Sequence, residues 1–173
     1  MTNILLLGDS LVADHSWQKR MGVHQTQNFG VPGAVTYDLL DMLPDVKKRT
    51  NQIDLIMVMI GTNDILSDNY SFIHTLKEIV IQLNKYYPLA EIVVSSILPM
   101  ELPHLPYNTI TSLNTHIEAM TMQTGACFLD IHSKFISSKA QLFEADGVHL
   151  TTDAYEIWTR SLLEHIAFLV ENE

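Results

Sequence analysis

The chain has 173 residues, of which 47% are apolar and 17% charged, with a mean hydropathy of +0.11; that is enough for one packed domain over residues 1–173 and too apolar for a disordered chain. Twenty acidic against ten basic residues give a formal charge of -10, a field that repels phosphate backbones and anionic membrane surfaces, so nucleic acid is not an expected partner. The single Cys127 excludes an internal disulfide, and no stretch reaches the roughly 18 apolar residues of a spanning helix.

The run Ile4 to Leu7 is too short for a signal sequence and has no basic segment before it, so the expected location is the cytoplasm, with no stable membrane insertion. Short apolar runs alternate with longer segments of helical period, the pattern of βαβ units on a parallel sheet. The first strand is predicted over Asn3 to Leu7, and the second, short and polar, over Gln25 to Phe29. A helix-like segment runs from Val35 to Thr50, where Pro44 predicts a break or two short pieces. The third strand, Ile53 to Ile60, is apolar on both faces and belongs at the centre of the sheet.

Phe72, Ile73, Leu76, Ile79, Val80 and Leu83 then recur at helical spacing, and Pro88 stops that helix. A fourth strand is predicted over Glu91 to Ile97. The segment Pro99 to Tyr107, with three prolines, can be neither regular helix nor central strand and reads as a loop. Ile110, Leu113, Ile117 and Met120 mark the next helix, ended at Gly125. The fifth strand, Ala126 to Ile131, carries Cys127 in an apolar run, where a buried inert thiol is expected. The last helix opens at Thr151 or Thr152 and shows Ala154, Ile157, Trp158, Leu162, Ile166 and Leu169 on one face. No repeat, low-complexity stretch or linker interrupts this order.

Four polar islands lie at the carboxyl ends of these runs: Gly8-Asp9-Ser10-Leu11, Asn28 to Gly33, Gly61-Thr62-Asn63-Asp64, and Asp146-Gly147-Val148-His149. In an open α/β sheet that edge is where ligands bind. A serine hydroxyl needs a base, and Ser10 has a candidate in His149; Asp146, three residues before it, can orient the imidazole and stabilise its charged form. The oxyanion that forms on attack of a carbonyl needs donors already in place, and the Gly33 amide and the Asn63 carboxamide can supply them. Any one of these residues alone reads as a cap or turn; all four islands in order at one edge point to acyl transfer.

These blocks resemble the SGNH hydrolases, the GDSL family of esterases and lipases, over nearly the whole chain. The matches are Gly-Asp-Ser-Leu at Gly8 to Leu11, the glycine of an Asn-containing turn at Gly33, Gly-x-Asn-Asp at Gly61 to Asp64, and Asp-x-x-His at Asp146 to His149. The resemblance implies a flavodoxin-like three-layer α/β/α sandwich with a five-stranded parallel sheet. It also implies a Ser10/His149/Asp146 triad, an oxyanion hole from the Ser10 and Gly33 amides with the Asn63 side chain, and no cofactor or metal. In one place the chain departs from many members, which carry an aspartate where it has Ala34, within Gly33-Ala34-Val35-Thr36. A change in turn stability or substrate preference is expected there, with the chemistry intact.

The α/β-hydrolase elbow Gly-x-Ser-x-Gly is not matched, because position 12 is Val12. A receiver-type reading of Asp9 and Asp64 lacks a lysine just after the fifth strand, Lys134 being the nearest. The expected substrate is a small or lysophospholipid-like carboxylic ester. The alternatives are a carbohydrate O-acetylesterase, an acyltransferase on the same serine, and a catalytically silent binding module. Leu11, Trp17, Ile65, Met100, Leu105 and Tyr107 are the expected lining of a rather open site. Apolar residues near the C-terminus are compatible with a homodimer.

Overall fold

The computed structural model describes residues 1–171. Strands β1 (Asn3–Gly8), β2 (Gln25–Asn28), β3 (Leu55–Met59), β4 (Glu91–Ser95) and β5 (Cys127–Leu129) form one sheet in the order β2-β1-β3-β4-β5, every pair parallel. The helices are α1 (Ser10–Ala13), α2 (Thr36–Arg49), α3 (Thr62–Leu66), α4 (Ile73–Tyr86), α5 (Thr109–Thr124), α6 (Ile131–Ser137) and α7 (Thr152–Glu171). This is the flavodoxin-like order, and its three layers follow from the alternation along the strands. Leu5, Leu7, Ile56, Val58 and Val94 face α2, α4 and α5, whereas Ile4, Leu6, Met57, Met59 and Val93 face α1, α6 and α7. All five β3 residues are buried, as a strand covered on both faces must be.

All five predicted strands are present, but several are shorter than the apolar runs that announced them. The run at Glu91 to Ile97 stops pairing at Ser95, because the Asn114 side chain on α5 captures both the amide and the carbonyl of Ile97, at 2.8 and 2.9 Å. Ile131, expected in the fifth strand, begins α6 instead. Asp130 caps that helix through the Ser133 amide, and the Ser96 hydroxyl accepts from the amides of Ile131 and His132. The predicted break at Pro44 does not occur, and α2 runs unbroken from Thr36 to Arg49. An interior proline costs roughly 3 kcal/mol. Burial of Leu39, Leu43 and Val46 against α4 offsets that cost, at about 1.5–3 kcal/mol per large side chain.

Residues 99–107 are irregular, as their prolines require, and Gly125 ends α5 in a left-handed conformation with φ +76°. Near the C-terminus Phe168 and Val170 are exposed. No helix among the described residues is long and apolar enough to cross a membrane.

Candidate active site

The connections leaving β1 and β3 run to opposite faces of the sheet, so a crevice opens between their carboxyl ends. Ser10 follows β1 and Asn63 follows β3, which places both at this switch point. Asp9 turns the chain into α1, with its Oδ1 accepting the Leu11 amide at 2.9 Å. The turn leaves Ser10 at the first position of α1, over the crevice. His149 arrives from the other end of the chain on a tight loop. The loop closes on itself through Glu144 N to His149 O at 2.8 Å and Gly147 N to Glu144 O at 3.0 Å.

Ser10 Oγ lies 3.3 Å from His149 Nε2, and His149 Nδ1 lies 2.5 Å from Asp146 Oδ2. The other carboxylate oxygen of Asp146 accepts the amides of Val148 and His149, at 3.0 and 2.9 Å. The His149 hydrogen bond and then these two amides hold the Asp146 carboxyl down at about 2, so it is ionised across the working range. An ionised acceptor on Nδ1 fixes the tautomer that leaves Nε2 free to take a proton from Ser10. Both side chains are about half exposed, at 46% for His149 and 51% for Asp146, so the site opens to solvent.

After β2 the chain turns at Gly33, whose φ of +79° favours glycine. A side chain at this position would meet no protein atom within 4 Å, so packing against the rest of the chain does not require glycine and the backbone conformation does. Among the described residues, the Gly33 and Ser10 amides donate to no protein acceptor. Asn63 spends one amide hydrogen on Ala34 O at 3.0 Å, and its second has no protein acceptor among the described residues. The Ser10 and Gly33 amides and the Asn63 side chain thus each retain a donor of the kind an oxyanion requires.

The turn is held from below by a residue to which the sequence assigned no role. Asp64 is buried; its Oδ2 accepts the Thr36 amide and its Oδ1 the Thr36 hydroxyl, both at 2.9 Å, while Asn69 donates to Oδ1 at 3.2 Å. Burial raises its pKa, and the Thr36 hydrogen bonds oppose that rise. Ala34, the departure from the usual aspartate, is 3% exposed and packs in the core with Leu39 and Ile65. A carboxylate at this buried position would be desolvated.

The expected lining divides. Leu11, Trp17 and Ile65 are at most 3% exposed and belong to the core, so they offer no surface to a substrate. Trp17 instead clamps α1 from beneath, its indole N–H donating to Val12 O at 2.8 Å and its ring meeting Trp158 edge-on at 5.1 Å. Tyr155, also unassigned from sequence, donates to Leu11 O at 2.7 Å and ties α7 to the serine helix. Met100 and Leu105 are half-buried against the core, and Tyr107 is 98% exposed. Their loop reaches the His149 loop through Glu101 N to Gly147 O at 2.9 Å.

A model of the GDSL-like lipase/acylhydrolase family matches residues 6–157. Among solved structures, a protein from Streptococcus pneumonia described as a candidate platelet activating factor is 25% identical. The match covers 95% of this chain and 83% of that one, with a TM-score of 0.82. The carbohydrate acetylesterase Est24 from Sinorhizobium meliloti is 18% identical, with 98% and 100% covered and a TM-score of 0.78. Axe2, an acetylxylan esterase from Geobacillus stearothermophilus, is 18% identical, with 95% and 94% covered and a TM-score of 0.77. No curated protein sequence matches the chain.

Proposed function

This chain belongs to the GDSL-like lipase/acylhydrolase family, and from that premise we propose that it hydrolyses carboxylic esters with short acyl groups through a Ser10-His149-Asp146 triad. The observation that carries the reading is the continuous relay from Ser10 Oγ through His149 to Asp146, at 3.3 and 2.5 Å. Ser10 Oγ attacks the ester carbonyl as its proton passes to His149 Nε2. The charge that develops on the carbonyl oxygen meets the amides of Ser10 and Gly33 and the free hydrogen of Asn63. Collapse expels the alcohol, which takes the proton from His149 and leaves an acyl-serine. Water then repeats the sequence with His149 as base.

The acyl preference rests on what is missing from the walls. With Leu11, Trp17 and Ile65 turned into the core, the apolar surface beside Ser10 shrinks, and the half-exposed triad supports a short chain over a lysophospholipid-length one. The test is hydrolysis of p-nitrophenyl esters from two to twelve carbons by the wild type and Ser10→Ala. We expect a maximum at two to four carbons and a loss of about 10³-fold or more in the variant. Turnover that survives the substitution would remove Ser10 as nucleophile, and a maximum at eight or more carbons would return the longer-chain reading.

A further inference from the structure

Away from the cleft, three elements bring together another set of reactive side chains. Glu91 opens β4, Cys127 opens β5 and His165 lies on α7; a carboxylate oxygen, the thiol sulfur and a ring nitrogen all lie within 4.8 Å of one another. Sheet geometry produces this meeting. Cys127 pairs in register with Val93, and Glu91, two residues before Val93, projects from the same face. That face is covered by α7, whose Leu162 and Ile166 are buried on either side of His165. The cluster therefore sits where the strands begin, at the edge opposite Ser10, and the ester chemistry makes no use of it.

The protein alone leaves the cluster incompletely satisfied. Cys127 Sγ donates to Glu91 Oε1 at 2.8 Å, and burial, reinforced by that carboxylate, pushes the thiol up to about 11. The thiol expected to be buried is half-buried and faces two other ligating groups. His165 Nε2 is buried without a hydrogen-bond partner, a rare state for an imidazole nitrogen, and burial lowers the pKa of the ring. A carboxylate, a thiol and a neutral imidazole converge from three elements, and all three residues are half-buried.

We propose that Glu91, Cys127 and His165 bind a borderline-soft divalent cation, Zn²⁺ before others, with water as the fourth ligand. Thiolate and imidazole select against Mg²⁺ and Ca²⁺, which take oxygen ligands. With Zn–S near about 2.3 Å and Zn–N and Zn–O near about 2.0–2.2 Å, tetrahedral ligand atoms stand roughly 3.5 Å apart, within reach of small side-chain rotations here. On binding, the thiol loses its proton to solvent and an S–Zn bond replaces S–H. Thiolate, carboxylate and the dication then sum to zero charge, which suits a half-buried site. The ion would tie the start of β4 and β5 to α7.

The full chain, stripped with EDTA and dialysed, is titrated with Zn²⁺ by calorimetry and with Co²⁺ by absorbance. One equivalent should bind, with release of a proton and the thiolate-to-cobalt charge-transfer band that a cysteine ligand produces; Mg²⁺ should give no heat. Cys127→Ser and His165→Gln should each weaken Zn²⁺ binding tenfold or more while leaving hydrolysis of p-nitrophenyl acetate within twofold. Absence of Zn²⁺ binding to the wild type, or equal affinity in Cys127→Ser, overturns the site. Loss of binding in His149→Ala with retention in Cys127→Ser also overturns it, by moving the ion to the cleft. If the variants fail to fold, alkylation of wild-type Cys127 decides: slowing by Zn²⁺ supports the site, and an unchanged rate overturns it.

Discussion

Asp9 concentrates several opposing forces in one side chain. It must turn the chain from β1 into α1, and its Oδ1 does so by accepting the Leu11 amide, but Oδ2 is buried with no partner. Burial dominates and raises its pKa from 3.8 to about 6, against the lowering pull of the Leu11 amide and of His149. The folded state therefore binds this proton more tightly than the unfolded one. The stability it contributes is full below pH 3.8 and is lost as pH rises toward about 6. A shift of two units corresponds to ~3 kcal/mol. Asp9→Asn keeps the acceptor for Leu11 and removes the titration, so urea unfolding between pH 4 and 8 should show a decline in wild type that is absent in the variant. Parallel pH profiles would assign the decline to other groups. Asp9 also marks where reading by motif stops: Ser10, Asp146 and His149 were legible because their chemistry requires those residue types at a strand edge. Trp17 was not, since an indole beside a nucleophile can line a site or support it, and only its hydrogen bond to Val12 O decides.

At the scale of elements, α3 works as a two-pronged clamp. Asn63 reaches Ala34 O and Asp64 reaches the Thr36 amide and hydroxyl, so adjacent side chains of one short helix pin both halves of the turn that presents Gly33. Asp64 is buried and does not face the cleft, which makes it a positioning residue. Asp64→Ala should cost about 2–3 kcal/mol, because charged hydrogen bonds are lost and buried donors are stranded. It should also lower kcat about tenfold or more with KM for a short ester little changed, since a misplaced oxyanion donor is felt in the transition state. A stability loss with unchanged kcat would separate the clamp from the oxyanion geometry. The Gly-x-Asn-Asp pattern pointed to Asn63 as a site residue, but the carboxylate of Asp64 had no visible partner in sequence, because Thr36 lies 28 residues away. The same limit hid α6. Its start depends on Ser96, 35 residues before Ile131, whereas the apolar period of Ala126 to Ile131 reads as one strand. Pro44 is the converse case, a strong local signal overridden by the burial of Leu39, Leu43 and Val46.

For the whole molecule, the order β2-β1-β3-β4-β5 turns a linear series of motifs into one crevice, and the charge of -10 decides what approaches it. The His149 loop and the segment hydrogen-bonded to it carry Glu101, Glu144 and the ionised Asp146, which add to that field. Repulsion of this kind reaches about 30 Å at 0.01 M salt and only about 3 Å at 1 M. The encounter with an anionic ester should therefore be suppressed at low salt and recover as salt is added, while a neutral ester of equal size gauges any effect on the chemistry itself. For p-nitrophenyl hemisuccinate, kcat/KM should rise about threefold or more from about 0.01 M to about 1 M NaCl, with p-nitrophenyl butyrate changing by less than about half as much. Similar salt profiles for the two esters would mean that the field at Ser10 is local and not set by the net charge. A fall for the anionic ester would require a positive subsite, and Lys139, exposed on the segment between α6 and the His149 loop, is the basic side chain to test by Lys139→Ala. Lys134 on α6 is instead engaged with Ser161 and Glu164, which turns its charge toward α7.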